Sequence, residues 1–108
     1  MASVHEIFTQ RLPEKLKNKP EVVQGVNAVV EFQLAGDGGG TWTLDCTQPG
    51  GAIQSGSQGN AKVTVLMAVA DFLEMMDGKL NAQKAFLTGK LKVKGDMGVA
   101  LKLGQILG

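Results

Sequence analysis

The sequence has little of the chemistry on which most enzyme sites are built. Its 108 residues include one histidine, His5, one cysteine, Cys46, and no tyrosine. A Ser-His-Asp or Cys-His arrangement would have to use His5, which falls in the first turn of a predicted helix, a poor place for a positioned base. A zinc site needs three or four histidine, cysteine or carboxylate ligands. Neither a GxGxxG nor a Walker phosphate loop is present. We therefore expect no enzyme activity, no metal site and no cofactor.

Other absences argue against whole classes of protein. The net charge is +1, so no basic field would attract nucleic acid. No run of 18 apolar residues occurs, which argues against a membrane span, and residues 1–10 lack the apolar core of a signal peptide. A single cysteine forbids an internal disulfide and favours a reducing compartment, with Cys46 predicted to be an inert, buried thiol. We expect an intracellular, cytoplasmic protein.

The composition suits one soluble core. Apolar residues make up 44% of the chain and charged residues 19%, and the length is close to that of one ordinary domain. No internal repeat or interdomain linker appears, so we expect a single domain over residues 1–108.

The spacing of apolar residues changes along the chain. Helical spacing from Val4 to Leu16 is interrupted by Pro13, which predicts a bend or break near Leu12. A second helical turn is predicted over 20–25, closed by a glycine. Alternation then predicts a strand from Val26 to Leu34. Further strands are predicted around Trp42–Cys46, Ile53, Val63–Met67 and Leu91–Val93.

Helices are predicted after the fourth strand and, capped by Asp96, at the end of the chain. One carries the stripe Val69, Phe72, Leu73 and Met76, and a shorter one follows the cap Asn81. The hairpin-joined strands predict an α+β fold, with a mainly antiparallel sheet and helices packed on one face. Asp71 and Glu74 share a helix face and could in principle do acid–base work, but a solvated polar face explains them as well.

The terminal helix is the unusual element. From Asp96 to Leu107 its polar side chains are Asp96, Lys102 and Gln105, so it is apolar nearly all round and must be covered on more than one side. Two glycines weaken it by roughly 1 kcal/mol each. It is either a movable wall over an apolar cavity, an ordinary core helix or one side of a dimer contact.

Three stretches resemble one known family. The run FLEMMDGKLNAQKAF at 72–86 and its continuation LTGKLKVKGDM at 87–97 resemble the characteristic part of the sterol carrier protein 2 domain. The run GTWTLD at 40–45 is similar to the tryptophan-containing second strand of that family.

The resemblance implies a five-stranded sheet with helices over one face and an apolar tunnel between them. It implies binding and transfer of lipids such as a fatty acid, fatty acyl-CoA or sterol, without catalysis. Gln83 matches a glutamine that lies at the tunnel in some members, whereas Leu101 stands where the family has a second glutamine, which makes this pocket more apolar. The chain ends in QILG rather than the Ser-Lys-Leu type of peroxisomal address of many members, which argues against peroxisomal import.

These arguments lead to a set of expected site residues. The lipid-binding residues are predicted to be Phe32, Trp42, Val65, Phe72, Met76, Gln83, Phe86, Met97, Leu101 and Leu103. Arg11 and Gln24 are candidates for contact with a polar head group. We expect a monomer or weak dimer that makes transient contact with membranes. The alternative is an interaction module that uses the apolar C-terminal helix and presents lipid substrates to a partner enzyme.

Overall fold

A computed structural model describes residues 3–107 of the chain. Its helices are α1 (Val4–Glu6), α2 (Leu12–Asn18), α3 (Pro20–Val26), α4 (Val69–Met76), α5 (Ala82–Leu87) and α6 (Met97–Leu107), with a π-helical turn (Ile7–Arg11) between α1 and α2. Its strands are β1 (Val29–Ala35), β2 (Gly40–Asp45), β3 (Ala52–Ser55), β4 (Val63–Ala68) and β5 (Leu91–Gly95). Residues 1, 2 and 108 of the expected domain lie outside the described residues, so its boundaries stay a prediction.

The five strands form one sheet in the order β3-β2-β1-β4-β5. The pairs β1–β2, β2–β3 and β4–β5 are antiparallel, and β1 and β4 are parallel. The parallel pair arises because the connection 56–62 carries the chain from the β3 edge back to the side of β1. The predicted α+β fold with a mainly antiparallel five-stranded sheet is confirmed. The lysine-bearing strand β5 and the short strand β3 lie at the two edges, as short or charged edge strands do.

Alternation along the strands gives the sheet an inner and an outer face. Cross-strand pairing aligns one inner row, which consists of Trp42, Phe32, Val65 and Val93. The neighbouring outer row consists of Thr41, Gln33, Leu66 and Lys92. Because the inner face carries the large apolar residues, the helices pack there and the core lies between sheet and helices.

The outer face holds one buried carboxylate, Glu31, which is 7% exposed. The Ser57 hydroxyl donates to one of its oxygens at 2.5 Å, and the Gln33 amide donates to the other at 2.6 Å. These two bonds, with that from Ser57 the stronger influence, hold the pKa of Glu31 below its usual value against the opposing effect of burial. The Ser57 bond also ties the β3–β4 connection to the outer face.

The N-terminal helix continues through Pro13, although a bend or break was predicted near Leu12. The chain widens into the π-helical turn instead, and the backbone N–H of Leu12 donates to the carbonyl of Ile7, five residues back. The wide turn ends at Arg11, and Pro13 lies in the first turn of α2, where helices tolerate proline. The chain therefore stays helical past Pro13, so no break occurs, and the bend that was the other expectation near Leu12 stays a prediction.

The next helix also runs further than predicted. It passes Gly25 and ends after Val26, where Asn27 adopts the left-handed conformation with φ of 41°. Asparagine tolerates this conformation and serves here in place of the expected closing glycine. Val26, predicted to begin the first strand, belongs to α3, and β1 begins at Val29.

Candidate functional site

A cavity of about 430 Å³ lies between the β4–β5 side of the sheet and helices α5 and α6. We call it the α5–α6 cavity. Ligand pockets commonly have volumes of roughly 300–1,000 Å³. Its walls are formed by Val65, Asn81, Ala82, Gln83, Phe86, Leu91, Val93, Met97, Ala100, Leu101, Leu103, Gly104, Gln105 and Leu107. The walls are therefore largely aliphatic and aromatic.

Short-range capping positions α5 over the cavity. The Asn81 side-chain oxygen accepts from the backbone N–H groups of Gln83 at 2.8 Å and Lys84 at 3.2 Å. This confirms Asn81 as the predicted cap and satisfies two donors that the first turn leaves free. The helix buries Ala85 completely, and it directs Ala82, Gln83 and Phe86 to the cavity wall.

A tight turn positions α6. Gly95 has φ of 108°, and a Cβ there would lie 2.3 Å from the carbonyl oxygen of Lys62, so this close approach of β5 to β4 requires glycine. Asp96 then accepts from the N–H groups of Gly98 at 2.9 Å and Val99 at 3.2 Å, which confirms it as the predicted cap. The turn fixes where the terminal helix begins beside the sheet edge.

The terminal helix is both a core helix and a cavity wall. Leu103, Ile106 and Leu107 are at most 2% exposed, whereas Leu101 on the same helix is 77% exposed and lines the cavity. Two lysine ammonium groups tie α6 to the preceding elements. Lys19 donates to the carbonyl of Gln105 at 2.8 Å, and Lys102 donates to that of Gly25 at 3.2 Å.

The structure brings six of the ten predicted lipid-binding residues to the cavity wall. They are Val65, Gln83, Phe86, Met97, Leu101 and Leu103. Phe86 and Met97 are 43% and 44% exposed, and with Leu101 they surround the opening to solvent. Gln83 contributes the polar side chain that the family resemblance placed at the tunnel.

The other four predicted residues lie away from this wall. Phe32, Phe72 and Met76 are buried in the core, and Trp42 is half-buried against it. The reason is Phe8 of the π-helical turn, whose ring stacks on Trp42 at 4.8 Å and on Phe72 at 5.4 Å between centroids. The space below β1 and β2 is therefore filled by a ring from the N-terminal helix.

The two head-group candidates also lie outside the cavity wall. Arg11 forms an ion pair with Asp77, at 3.1 Å between Nη1 and Oδ1. Gln24 is exposed on α3. A head group that reaches either residue would have to lie outside the α5–α6 cavity.

Sequence reasoning missed several wall residues. They are Asn81, Ala82, Leu91, Val93, Ala100, Gly104, Gln105 and Leu107. The alternation at Leu91 and Val93 was visible in the sequence, but their place on the wall depends on β5 pairing with β4. That pairing joins segments far apart in the chain, and no local signal shows it.

The wall contains no ionisable side chain among the described residues. Its polar side chains are the amides of Asn81, Gln83 and Gln105, and the Asn81 oxygen is already used as a helix cap. The wall therefore offers no nucleophile, no acid or base and no fixed charge. It suits an uncharged or apolar segment, and a charged group would lose hydration there without a partner.

A larger depression of about 640 Å³ lies elsewhere, along the outer row of the sheet. It is an open groove, and charged side chains of Asp71, Lys90 and Lys92 contribute to it. A hydrocarbon placed there would stay in contact with water and charge. We therefore place the candidate site in the smaller and more enclosed α5–α6 cavity.

Groups that might support other chemistry lie apart from this cavity. Burial, assisted by the charge of Asp45, raises the pKa of the Cys46 thiol to about 11, so the thiol is protonated at neutral pH and unreactive. The His5 ring lies 5.9 Å from that of Trp42. Over residues 3–107, no three histidine, cysteine or carboxylate side chains come together as a metal site, and no helix is long and apolar enough to span a bilayer.

Comparison with known proteins identifies the family. The sequence model of the SCP-2 sterol transfer family matches residues 8–108. The chain belongs to this family. The resemblance read from residues 40–45 and 72–97 is thereby confirmed. Over 88 residues the chain is 43% identical to hydroxysteroid dehydrogenase-like protein 2 of Rattus norvegicus, a match that covers 81% of this chain and 17% of that protein.

Solved structures support the same family assignment. The sterol carrier protein domain 2 of Helicoverpa armigera superimposes with a TM-score of 0.77 at 29% identity, covering 94% of this chain and 85% of that one. Sterol carrier protein 2 from Yarrowia lipolytica, in its apo form, gives 0.69 at 33% identity, covering 94% and 81%. The curated relatives are longer, and the chain spans 17% to 23% of the length of hydroxysteroid dehydrogenase-like proteins from several vertebrates.

Proposed function

We propose that this chain binds one apolar lipid, such as a fatty acid, fatty acyl group or sterol, in the α5–α6 cavity and carries it without altering it chemically. The observation that supports this most directly is the wall itself, which is apolar and free of ionisable side chains over a volume of about 430 Å³. Membership of a sterol transfer family supports the same class of ligand.

The expected affinity follows from the apolar contact alone. Burying one methylene contributes about 0.8 kcal/mol, so a chain of about fifteen methylenes gives roughly 12 kcal/mol. Association and ordering offset about 4 kcal/mol of this. The remaining ~8 kcal/mol corresponds to a micromolar dissociation constant. Because the apolar contribution is non-directional, we expect broad selectivity among lipids of similar volume.

A carrier without catalysis is also the simplest reading of where the reactive groups lie. Asp71 and Glu74, the carboxylate pair considered above, belong to α4 and do not line the cavity. His5 is likewise absent from its wall. A lipid in the cavity would therefore meet only aliphatic, aromatic and amide groups.

The test combines extraction with titration. Protein purified from cells is extracted and analysed by mass spectrometry, and a fluorescent fatty acid is titrated into delipidated protein. We expect co-purified lipid and saturable one-to-one binding in the micromolar range. Absence of both would defeat the proposal.

A second function is favoured by the length of the relatives. In them a segment like this chain is a minor part of a longer dehydrogenase-like protein. The chain would then present a lipid to an enzyme through the surface of α6, on which Leu101 is three-quarters exposed. A solution mass that rises with concentration when such an enzyme is added would support presentation, and lipid binding without any such association would favour transfer.

A further inference from the structure

The inner row of the sheet crosses from the cavity into the core at one boundary. The row runs through Trp42, Phe32, Val65 and Val93 across β2, β1, β4 and β5. Val65 and Val93 line the α5–α6 cavity, whereas Phe32 and Trp42 do not. Because neighbouring strands lie about 4.8 Å apart and Phe32 is the register partner of Val65, its ring is the first side chain beyond the cavity in this row. The cavity therefore ends, in this direction, where an aliphatic side chain gives way to a phenyl ring.

Two further rings hold the Phe32 ring in place. Phe32 is completely buried, and the rings of Phe8 and Phe72 meet it at 61° with centroids 5.4 Å and 6.1 Å away. Phe8 in turn stacks on Trp42 and Phe72, with ring planes 4° and 5° from parallel. These separations fall in the range that aromatic pairs favour. A turn of the Phe32 ring would break its contacts with both phenylalanines, so the ring forms a fixed end wall.

A fixed end wall limits how much of a lipid the cavity can bury. Phe86, Met97 and Leu101 surround the opening, so a hydrocarbon chain that enters there extends inward toward Val65. Each methylene that becomes buried strengthens binding about fourfold. Once the chain meets the Phe32 ring, further methylenes stay at the opening in contact with water and add little. Affinity should therefore rise with chain length only up to a limit.

We propose that Phe32 determines the longest hydrocarbon chain that the α5–α6 cavity accepts, and that Phe8 and Phe72 are positioning residues that keep its ring across the inner end. This inference rests on the proposed function, since it concerns the same cavity and the same class of ligand. It adds a limit on chain length to the broad selectivity expected among lipid types. Selectivity for length is thus located at the inner end of the cavity, away from the exposed side chains at its opening.

The test is a series of saturated fatty alcohols of increasing chain length, which displace a fluorescent fatty acid from delipidated protein. We expect the affinity of the natural chain to rise about fourfold per methylene and then to level off. Phe32→Ala removes the whole phenyl ring, and because protein interiors are closely packed, the levelling-off should move to alcohols about four to six methylenes longer. Phe32→Leu, which destabilises the fold less, should move it by about two methylenes. Affinity for the shortest alcohols should be unchanged in both variants.

Leu44→Ala is the matched control for loss of buried volume. Leu44 is also completely buried on the inner face, but it belongs to β2 and pairs with Val30 and Ile53 rather than with a strand that lines the cavity. Its substitution should destabilise the fold and leave the levelling-off where it is in the natural chain. Phe8→Leu should move the levelling-off, but less than Phe32→Leu does, because the Phe32 ring stays and only gains room to turn. A purely structural Phe8 would lower stability without moving it.

The outcomes separate this inference from the carrier function. An unchanged levelling-off in both Phe32 variants, or an equal shift in Leu44→Ala, would overturn the inference and leave the carrier function standing. A natural chain whose affinity never levels off would do the same. A natural chain that binds neither alcohol nor fatty acid would overturn the carrier function, and the inference with it.

Discussion

The space between sheet and helices is filled in two different ways on its two sides. Below β1 and β2, the ring of Phe8 stacks between Trp42 and Phe72, and Phe32 meets both phenylalanine rings edge-on at 5.4 Å and 6.1 Å. Below β4 and β5, the wall consists mostly of aliphatic side chains around a cavity of about 430 Å³. We call these the aromatic half and the hollow half. One sheet face thus supports both a close-packed core and a cavity.

This difference shows that different contacts stabilise the two halves. In the aromatic half a helix from the start of the chain supplies the ring that fills the space. In the hollow half α6 is held instead by its own buried leucines and by two lysine–carbonyl bonds to the N-terminal helices. We therefore expect substitutions in the aromatic half to change the free energy of unfolding, and substitutions in the hollow half to change lipid affinity.

The largest effect is expected in the aromatic half. Phe8→Ala removes a ring that is 1% exposed, and it should lower the free energy of unfolding by about 3–5 kcal/mol, as measured by urea denaturation. Phe86→Ala is the matched control, because that ring is 43% exposed and lies at the cavity mouth. It should cost less than about 1.5 kcal/mol. Similar losses in the two variants would remove the distinction between the halves.

Filling the hollow half should separate stability from binding. Gly104 lines the cavity, and a Cβ there meets no atom within 4 Å. Gly104→Leu should raise the free energy of unfolding by roughly 0.5–1 kcal/mol through helix propensity. It should weaken fatty acid binding roughly 50-fold if the new side chain excludes about three methylenes of ligand.

Gly25→Ala is the control for this substitution. Gly25 also lies in a helix with open space at its Cβ position, but on α3 and outside the cavity wall. It should stabilise the fold by a similar amount and leave the titration unchanged. Undiminished lipid binding by the Gly104→Leu protein would show that the ligand lies elsewhere.

A charge at the cavity mouth should weaken lipid binding less than a side chain that fills the cavity. Leu101 is 77% exposed, so Leu101→Glu should change the free energy of unfolding by no more than about 0.5 kcal/mol. It should weaken binding of a fatty acid by about tenfold, because a carboxylate at the opening opposes both an apolar chain and an anionic head group. Leu101→Gln, which restores the amide of the family pattern, should bind more tightly than Leu101→Glu. Equal affinity in the natural protein and Leu101→Glu would remove this part of α6 from the site.

We expect acid to lower the free energy of unfolding through the outer face of the sheet rather than through either half. The reason is that Glu31, a buried carboxylate, lies on the outer face. The bonds from Ser57 and Gln33 hold the pKa of Glu31 below its ordinary value of 4.5. Their contribution to stability is therefore complete above about pH 4.5 and is lost as the pH falls through the lowered pKa of the folded state. Glu31→Gln should lower stability at neutral pH and flatten its acid dependence in denaturation measured at several pH values. Binding of a neutral fatty alcohol should be the same at pH 7 and pH 5.5 in both proteins, and a change in that affinity would place a titrating group at the cavity.

The sequence predicted most of the architecture because the relevant signals are local. Alternation identified the strands, and the caps Asn81 and Asp96 marked where α5 and α6 begin. Pro13 predicted a bend or break near Leu12, and the π-helical turn that precedes it was not foreseen because such a turn has no simple sequence signature. Asn27 ended α3 in a conformation for which glycine was the expected residue.

The site was predicted only in part, for a physical reason. Phe32 and Trp42 are large, apolar and on the inner face of the sheet, and Phe72 belongs to the apolar stripe of α4. A sequence shows no more than this of a cavity wall. Whether such residues surround a space or fill it depends on Phe8, which arrives from another part of the chain. Gln83, which the family resemblance indicated, lines the cavity, but the resemblance did not distinguish the aromatic half from the hollow half.

The most direct test observes ligand contact in both halves at once. The protein is labelled with carbon-13 at its methionine methyl groups, and a fatty alcohol is titrated in while methyl NMR spectra are recorded. Met97 lies at the cavity wall, whereas Met75 and Met76 are buried in the core outside it. We predict saturable shifts and ligand contacts at the Met97 methyl and little change at Met75. Ligand contacts at Met75 and Met76 with none at Met97 would contradict the account.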